Sequence, residues 1–175
     1  DVELVAGERG TFTEVACAGL ASGGLHVCAI TSDGRLWHTL RQSNGSWLAF
    51  IDAETQIGER GTFTSVACAT LSTGDLHVCG ATREGKLWHT IRQSAGAWTA
   101  VTDVEAAAGG DKGTFVSVAC SAGYGDQLHV CGVTSADGRL WHTIRSGSGT
   151  WTPFTDVETR AGERGIFTRV ASWLM

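Results

Sequence analysis

The segment GRLWHTLR at residues 34–41 returns as GKLWHTIR at 85–92 and as GRLWHTIR at 138–145. A second run keeps the same phase: GTFTEVACA at 10–18, GTFTSVACA at 61–69, GTFVSVACS at 113–121 and GIFTRVASW at 165–173. Asp1, Asp52, Asp103 and Asp156 open successive units, at spacings of 51, 51 and 53 residues. A period of this length marks a repeat architecture in which each unit is one supersecondary element. The chain reads as a single repeat domain over 1–175, with units 1–51, 52–102 and 103–155 and a partial fourth at 156–175.

Within a unit, short alternating or apolar runs are bounded by Gly, Asn, Asp and Ser, the signal of strands and not of helices. In the first unit the strands are expected at Phe12–Ala18 (a), Leu25–Thr31 (b), Arg35–Arg41 (c) and Trp47–Asp52 (d). Four strands in 51 residues leave no room for a helix. Asp33-Gly34, Glu84-Gly85 and Asp137-Gly138 suit tight b–c turns that need positive φ. Asn44-Gly45, Ala95-Gly96 and Gly147-Ser148-Gly149 mark the c–d turns, so b, c and d form a meander.

Strand c carries bulky groups on both faces: Arg35, Trp37, Thr39 and Arg41 on one, Leu36, His38 and Leu40 on the other. A sheet sandwiched between two like sheets has that pattern, so the expected fold is all-β, a propeller of four-stranded blades. Trp37, Trp88 and Trp141 are expected in the core, and His38, His89 and His142 in hydrogen-bonded structural roles. The alternative, a β-trefoil, also has three units of four strands, but its Gln-x-Trp signature is absent.

The strings DGRLWHTIR (137–145), GTWTPFTDV (149–157) and FTEVACA (12–18) resemble the repeats of bacterial propeller lectins of the Photorhabdus lectin type and their tectonin-like relatives. The resemblance implies a ring propeller with sugar sites between adjacent blades, for fucose or O-methylated sugars. A ring needs about four to eight blades, so two copies of the chain closing one ring, or further blades from a longer chain, are expected to complete it.

Cys17/Cys28, Cys68/Cys79 and Cys120/Cys131 each stand 11 residues apart, and Ser172 replaces the cysteine of the fourth unit. Repetition of the spacing predicts one disulfide inside each unit and an oxidising, extracellular compartment. No two-residue metal knuckle is present, and no metal or cofactor is expected.

A formal charge of −5 and a pI near 5.6, without a Lys/Arg cluster, argue against nucleic acid as a partner. No apolar run approaches the roughly 20 residues of a membrane span. Alternating strand directions gather Arg41, Arg92 and Arg145 with Trp47, Trp98 and Trp151 on one rim, near His26, His77 and His129. An indole stacks on the apolar face of a pyranose while a guanidinium donates paired hydrogen bonds to its hydroxyls. Glycans are therefore the expected partner. Every notable polar group occurs three times, which fits binding valence and not the single asymmetric constellation of an enzyme. A structural or protein-interaction propeller is the alternative. Glu8-Arg9, Glu59-Arg60, Asp111-Lys112 and Glu163-Arg164 are expected as solvated, salt-bridged turns on the opposite rim.

Overall fold

The computed structural model describes residues 1–163 and 165–172. It contains three separate four-stranded antiparallel sheets. The first runs β1 (Phe12–Gly19), β2 (Leu25–Thr31), β3 (Leu36–Arg41) and β4 (Ile51–Asp52) in spatial order. The second is β5 (Phe63–Thr70), β6 (Leu76–Thr82), β7 (Leu87–Arg92) and β8 (Thr102–Asp103). The third is β9 (Phe115–Ala122), β10 (Leu128–Thr134), β11 (Leu140–Arg145) and β12 (Thr155–Asp156). These are propeller blades: each sheet packs face to face on the next, and β1, β5 and β9 form the inner edges. Together with residues 168–172 they surround a central cavity of about 440 Å³. Residues 167–172 run beside the third blade without regular strand pairing: Phe167 N–H donates to the Gly138 carbonyl of the b–c turn, and Val170 N–H to Ser117 Oγ of the inner strand. Arg164 and Trp173 lie outside the described residues.

Two apolar cores lie between the blades. Ile30 and Leu36 of the first blade meet Val66, Leu76 and Val78 of the second. Leu87 and Val104 meet Val118, Leu128 and Val130 in the same way. Each interface therefore removes one face of each of two sheets from water, a main source of stability in this fold. The tight b–c turns add backbone links. Gly34, at φ +85°, brings its carbonyl 3.0 Å from Phe63 N, and a Cβ there would stand 2.3 Å from Thr62 Cγ2. Only glycine fits both the conformation and the approach.

One expectation fails here: each unit does hold a helix, of a single turn. These are α1 (Glu3–Ala6), α2 (Glu54–Ile57), α3 (Val104–Ala107) and α4 (Val157–Ala161). They fit because strand d is nearly absent: Trp47 makes one isolated bridge to Arg41, and regular pairing returns only at Ile51–Asp52. The unit-opening aspartate is the N-cap of α3 (Asp103) and α4 (Asp156), while before α2 Asp52 stands one residue ahead of the N-cap Ala53. Asp52, Asp103 and Asp156 accept from Glu54, Ala106 and Glu158 N–H through Oδ1. The other oxygen of Asp52 takes Arg35 at 2.7 Å, and Asp156 takes Arg139 likewise.

The intra-unit disulfides are also corrected. None of the six cysteines is bonded, and the register explains why these pairs could not bond. Cys17 faces Val27 across the ladder and Cys28 faces Ala16, so the two side chains project from opposite faces of one sheet. The same holds for Cys68 and Cys79, opposite Val78 and Ala67, and for Cys120 and Cys131, opposite Val130 and Ala119.

Candidate functional site: the grooves between blades

Arg41, Arg92 and Arg145 end the c strands, and each makes a two-residue bridge with Trp47, Trp98 or Trp151 across the c–d turn. The three expected Arg–Trp pairs therefore form. The turn glycine leaves room for the guanidinium, since a Cβ at Gly96 would lie 3.5 Å from Arg92 Nη2 and one at Gly149 3.2 Å from Arg145 Nη2.

The second and third pairs meet histidines of the preceding blade. His38 stands edge-on to Trp98, with ring centres 5.5 Å apart, and His89 stands edge-on to Trp151 at 5.3 Å. Arg92 is close enough to His26, and Arg145 to His77, for its charge to bear on the imidazole. A complete site thus needs two blades. Among the described residues there are two: His26, His38, Arg92 and Trp98, then His77, His89, Arg145 and Trp151. Arg41 and Trp47 lie on the uncovered face of the first blade, while His129 and His142 face beyond the third.

The histidines are themselves paired. Nδ1 of His26, His77 and His129 contacts Nε2 of His38, His89 and His142 at 2.9, 3.0 and 3.1 Å. The strand-c histidines thus have the structural role expected of them. Burial lowers the pKa of His26 and His77 to about 4 and of His38 to about 3, with the adjacent arginine charge acting in the same direction. His89 is pushed well down by burial as well. All four are neutral near pH 7, and the arginine is the cation of each groove. The outer ring of a pair, such as His77, can donate or accept through Nε2, depending on which ring holds the shared proton.

The groove between the second and third blades is open over about 280 Å³ and is lined by Thr73, Asp75, His77, Asp126 and Arg145. That is near the lower end of ligand pockets, roughly 300–1,000 Å³, and suits one small polar ring. Asp126 and Asp75 were not singled out from sequence. Asp126 has φ +57° where the first two blades carry Gly23 and Gly74, and its Oδ1 accepts from the Ser72 backbone and hydroxyl. Asp75 accepts from Ser94 N–H and Thr73 Oγ1. A non-glycine residue in this left-handed position was the available signal. In the other groove the positions equivalent to Asp75 and Asp126 are Gly24 and Gly74, so the two sites differ in charge. Arg92 Nε and Trp98 Nε1 there are buried without hydrogen-bond partners.

On the opposite rim the expected salt-bridged turns are replaced by cation–aromatic contacts. Arg9 lies 5.0 Å from the centre of Trp37, Arg60 5.5 Å from Trp88 and Lys112 5.3 Å from Trp141. Glu59 pairs instead with Arg35. These tryptophans, expected as core, are half-buried beneath the cations.

No family model matches the sequence, and no curated protein does. Among solved structures the chain is similar to a triple arginine-to-alanine mutant of AofleA from Arthrobotrys oligospora (TM-score 0.56, 13% identity, covering 85% of this chain and 44% of that one). It is similar also to the catalytic domain of a Coprinopsis cinerea GH62 alpha-L-arabinofuranosidase (TM-score 0.55, 13% identity, 83% and 50%). A third is BBS1N in complex with ARL6DN (TM-score 0.51, 11% identity, 85% and 41%). The chain spans half or less of the length of each. At these identities the likeness is one of fold, that of the β-propeller.

Proposed function

We propose that the chain is a multivalent carbohydrate-binding protein, with one sugar site in each groove between blades. The observation that carries this reading is the convergence of Arg92 and Trp98 on the His26–His38 pair, repeated by Arg145 and Trp151 on His77–His89. Cation, indole face and neutral imidazole are the donors, stacking surface and acceptors that a pyranose requires. The resemblance to propeller lectins favours fucose or an O-methylated sugar and an extracellular setting. The arginines removed in the AofleA mutant stand 53 residues apart in that protein, and Arg92 and Arg145 stand 53 apart here.

A single site of about millimolar affinity supplies roughly 4 kcal/mol. Several on one rigid array raise avidity by roughly 10² to 10⁴, which gives repetition of the site a purpose. The arabinofuranosidase among the structural neighbours raises glycoside hydrolysis as the second reading. That chemistry needs two available carboxylates flanking the bond, whereas Asp75 and Asp126 are both held by loop donors.

A glycan array followed by tryptophan-fluorescence titration with methyl α-L-fucoside tests the proposal. Saturable binding that disappears in Arg92→Ala/Arg145→Ala is expected. Silence of folded protein across the array removes the lectin reading, and release of p-nitrophenol from an aryl arabinofuranoside would make the chain an enzyme.

A further inference from the structure

We infer that Cys28–Cys68 and Cys79–Cys120, free thiols in the structure, are the pairs that oxidation joins as disulfides between blades. Cys28 shares a face of the first blade with Ala16, His26 and His38, the face turned toward the second blade. Cys68 lies on the facing side of the second blade with Val66 and Val78, buried in the same core cluster as Cys28, and its thiol raises the cost of ionising Cys28. Cys79 and Cys120 repeat the arrangement in the next interface, both buried in its core cluster. In each case strand b of one blade supplies the first sulfur and strand a of the next blade the second.

The rule accounts for all six cysteines. Under it Cys131 would pair with the strand-a position of the fourth unit, which is Ser172; that side chain donates instead to the Cys120 carbonyl at 2.6 Å. Cys17 would need the strand-b cysteine of a preceding blade, and it is exposed. Two bonds and two remaining thiols follow.

An oxidant has a way in. Cys68 and Cys120 line the central cavity beside Cys17, while Cys28 and Cys79 lie behind them. With glutathione disulfide as oxidant, the Cys68 thiolate attacks one sulfur and expels one glutathione thiolate. Cys28 then attacks the mixed disulfide at Cys68 and expels the second. The protein loses two electrons and two protons, and one glutathione disulfide becomes two glutathiones. Arg92 is near enough to Cys28, and Arg145 to Cys79, for each pair to interact electrostatically. Each bond would therefore fix the blade that carries the histidines to the blade that carries Arg and Trp, beneath the proposed sugar. The pairing stands on the register that turns each cysteine toward the facing sheet and on their shared cores, and does not depend on what the grooves bind.

The test is a disulfide map. The purified chain is equilibrated with glutathione disulfide, alkylated with N-ethylmaleimide under denaturing conditions, digested and read by mass spectrometry without reduction. Linked peptides Cys28–Cys68 and Cys79–Cys120 are expected, with Cys17 and Cys131 outside both bonds. Peptides linking Cys17 to Cys28 or Cys68 to Cys79, or no protein disulfide at all, would overturn the inference. In Cys28→Ser the Cys79–Cys120 peptide should persist alone; its loss, or a new bond from Cys68 to Cys79, counts against the two independent pairs.

Discussion

Acid should unfold this protein through its paired histidines. In the native state His26 and His77 titrate at about 4 and His38 at about 3, all below the ordinary 6.5, and burial is the main cause. The groups facing them are Arg92 on the first pair, and Arg145, Asp75 and Asp126 on the second. A depressed histidine stays neutral when folded but binds a proton in the unfolded chain below about 6.5. Its contribution to stability is therefore complete above that pH and is lost as the pH falls from about 6.5 toward about 4.

The slope is about 1.4 kcal/mol per pH unit for each such group. At pH 5 the loss reaches roughly 2 kcal/mol per histidine and about 6 kcal/mol for His26, His38 and His77 together. That is comparable with the whole stability of a typical domain, about 5–15 kcal/mol. Buried Glu54 and Glu105 have raised pKa values and act in the opposite direction; acid relieves their buried charge, and this offset enters toward the carboxylate range, late in the histidine window. Urea unfolding followed by tryptophan fluorescence at pH 7.5, 6.5, 5.5 and 5.0 measures the slope. The midpoint should hold between 7.5 and 6.5 and fall steeply below. Replacing His26 and His38 by glutamine should remove about 2.7 kcal/mol per pH unit from that slope. A wild-type midpoint that stays level from 7.5 to 5.0 would refute the reasoning.

Two further outcomes are expected. The bonds Cys28–Cys68 and Cys79–Cys120 span 40 and 41 residues of chain, for which the loop-entropy model gives roughly 4 kcal/mol each; calorimetry of oxidised against reduced protein should separate the Tm values by about 8–16 °C per bond, and equal values would mean no bond constrains the unfolded chain. Gly80→Ala would place a Cβ 2.7 Å from the Phe63 ring, and Gly132→Ala one 2.6 Å from Phe115; each should cost about 1–3 kcal/mol in urea unfolding, and an unchanged midpoint would show that the rings move aside freely.

Strand b was legible to the residue at Leu25–Thr31, because alternation, turn glycines and repetition all agree there. Strand d was not: Trp47 and Ile51 look like one run, but the chain leaves the sheet between them, and Phe50 N–H bonds to Ala6 of the first helical turn. The helices did leave a signal. Asp103 caps, Glu105 stands in the first turn and glycines follow at 109 and 110, yet four residues are too few to produce a helical period.

The disulfide error has a different origin. A constant spacing of 11 says only that the cysteines repeat, whereas bonding depends on ladder parity, and one residue of register turns a side chain to the other face. Once Cys17 pairs with Val27, Cys28 must point away from it and toward the next blade. The Arg–Trp pairs were legible because both members flank one short turn. That their histidines come from the neighbouring blade is a matter of how blades stack, and no run of sequence within a unit contains it.

That division of the site between blades sets the stoichiometry. Each groove takes His from one blade and Arg with Trp from the next, so an open array of three blades has two complete grooves and two half-sites. Sugar titrated calorimetrically into the chain as a monomer should give two sites per chain. Arg92→Ala should reduce this to one, as should Arg145→Ala, while Arg41→Ala should leave it at two, because Arg41 faces no preceding blade. If two copies close into one ring, as the uncovered faces favour, His129 and His142 of one copy meet Arg41 and Trp47 of the other. The number then rises to three per chain, and Arg41→Ala becomes as costly as the other two. Light scattering on the same sample fixes which case applies. Two sites per chain that both survive Arg92→Ala and Arg145→Ala would place the sugar outside the grooves, and the pairing of blades would then serve the fold alone.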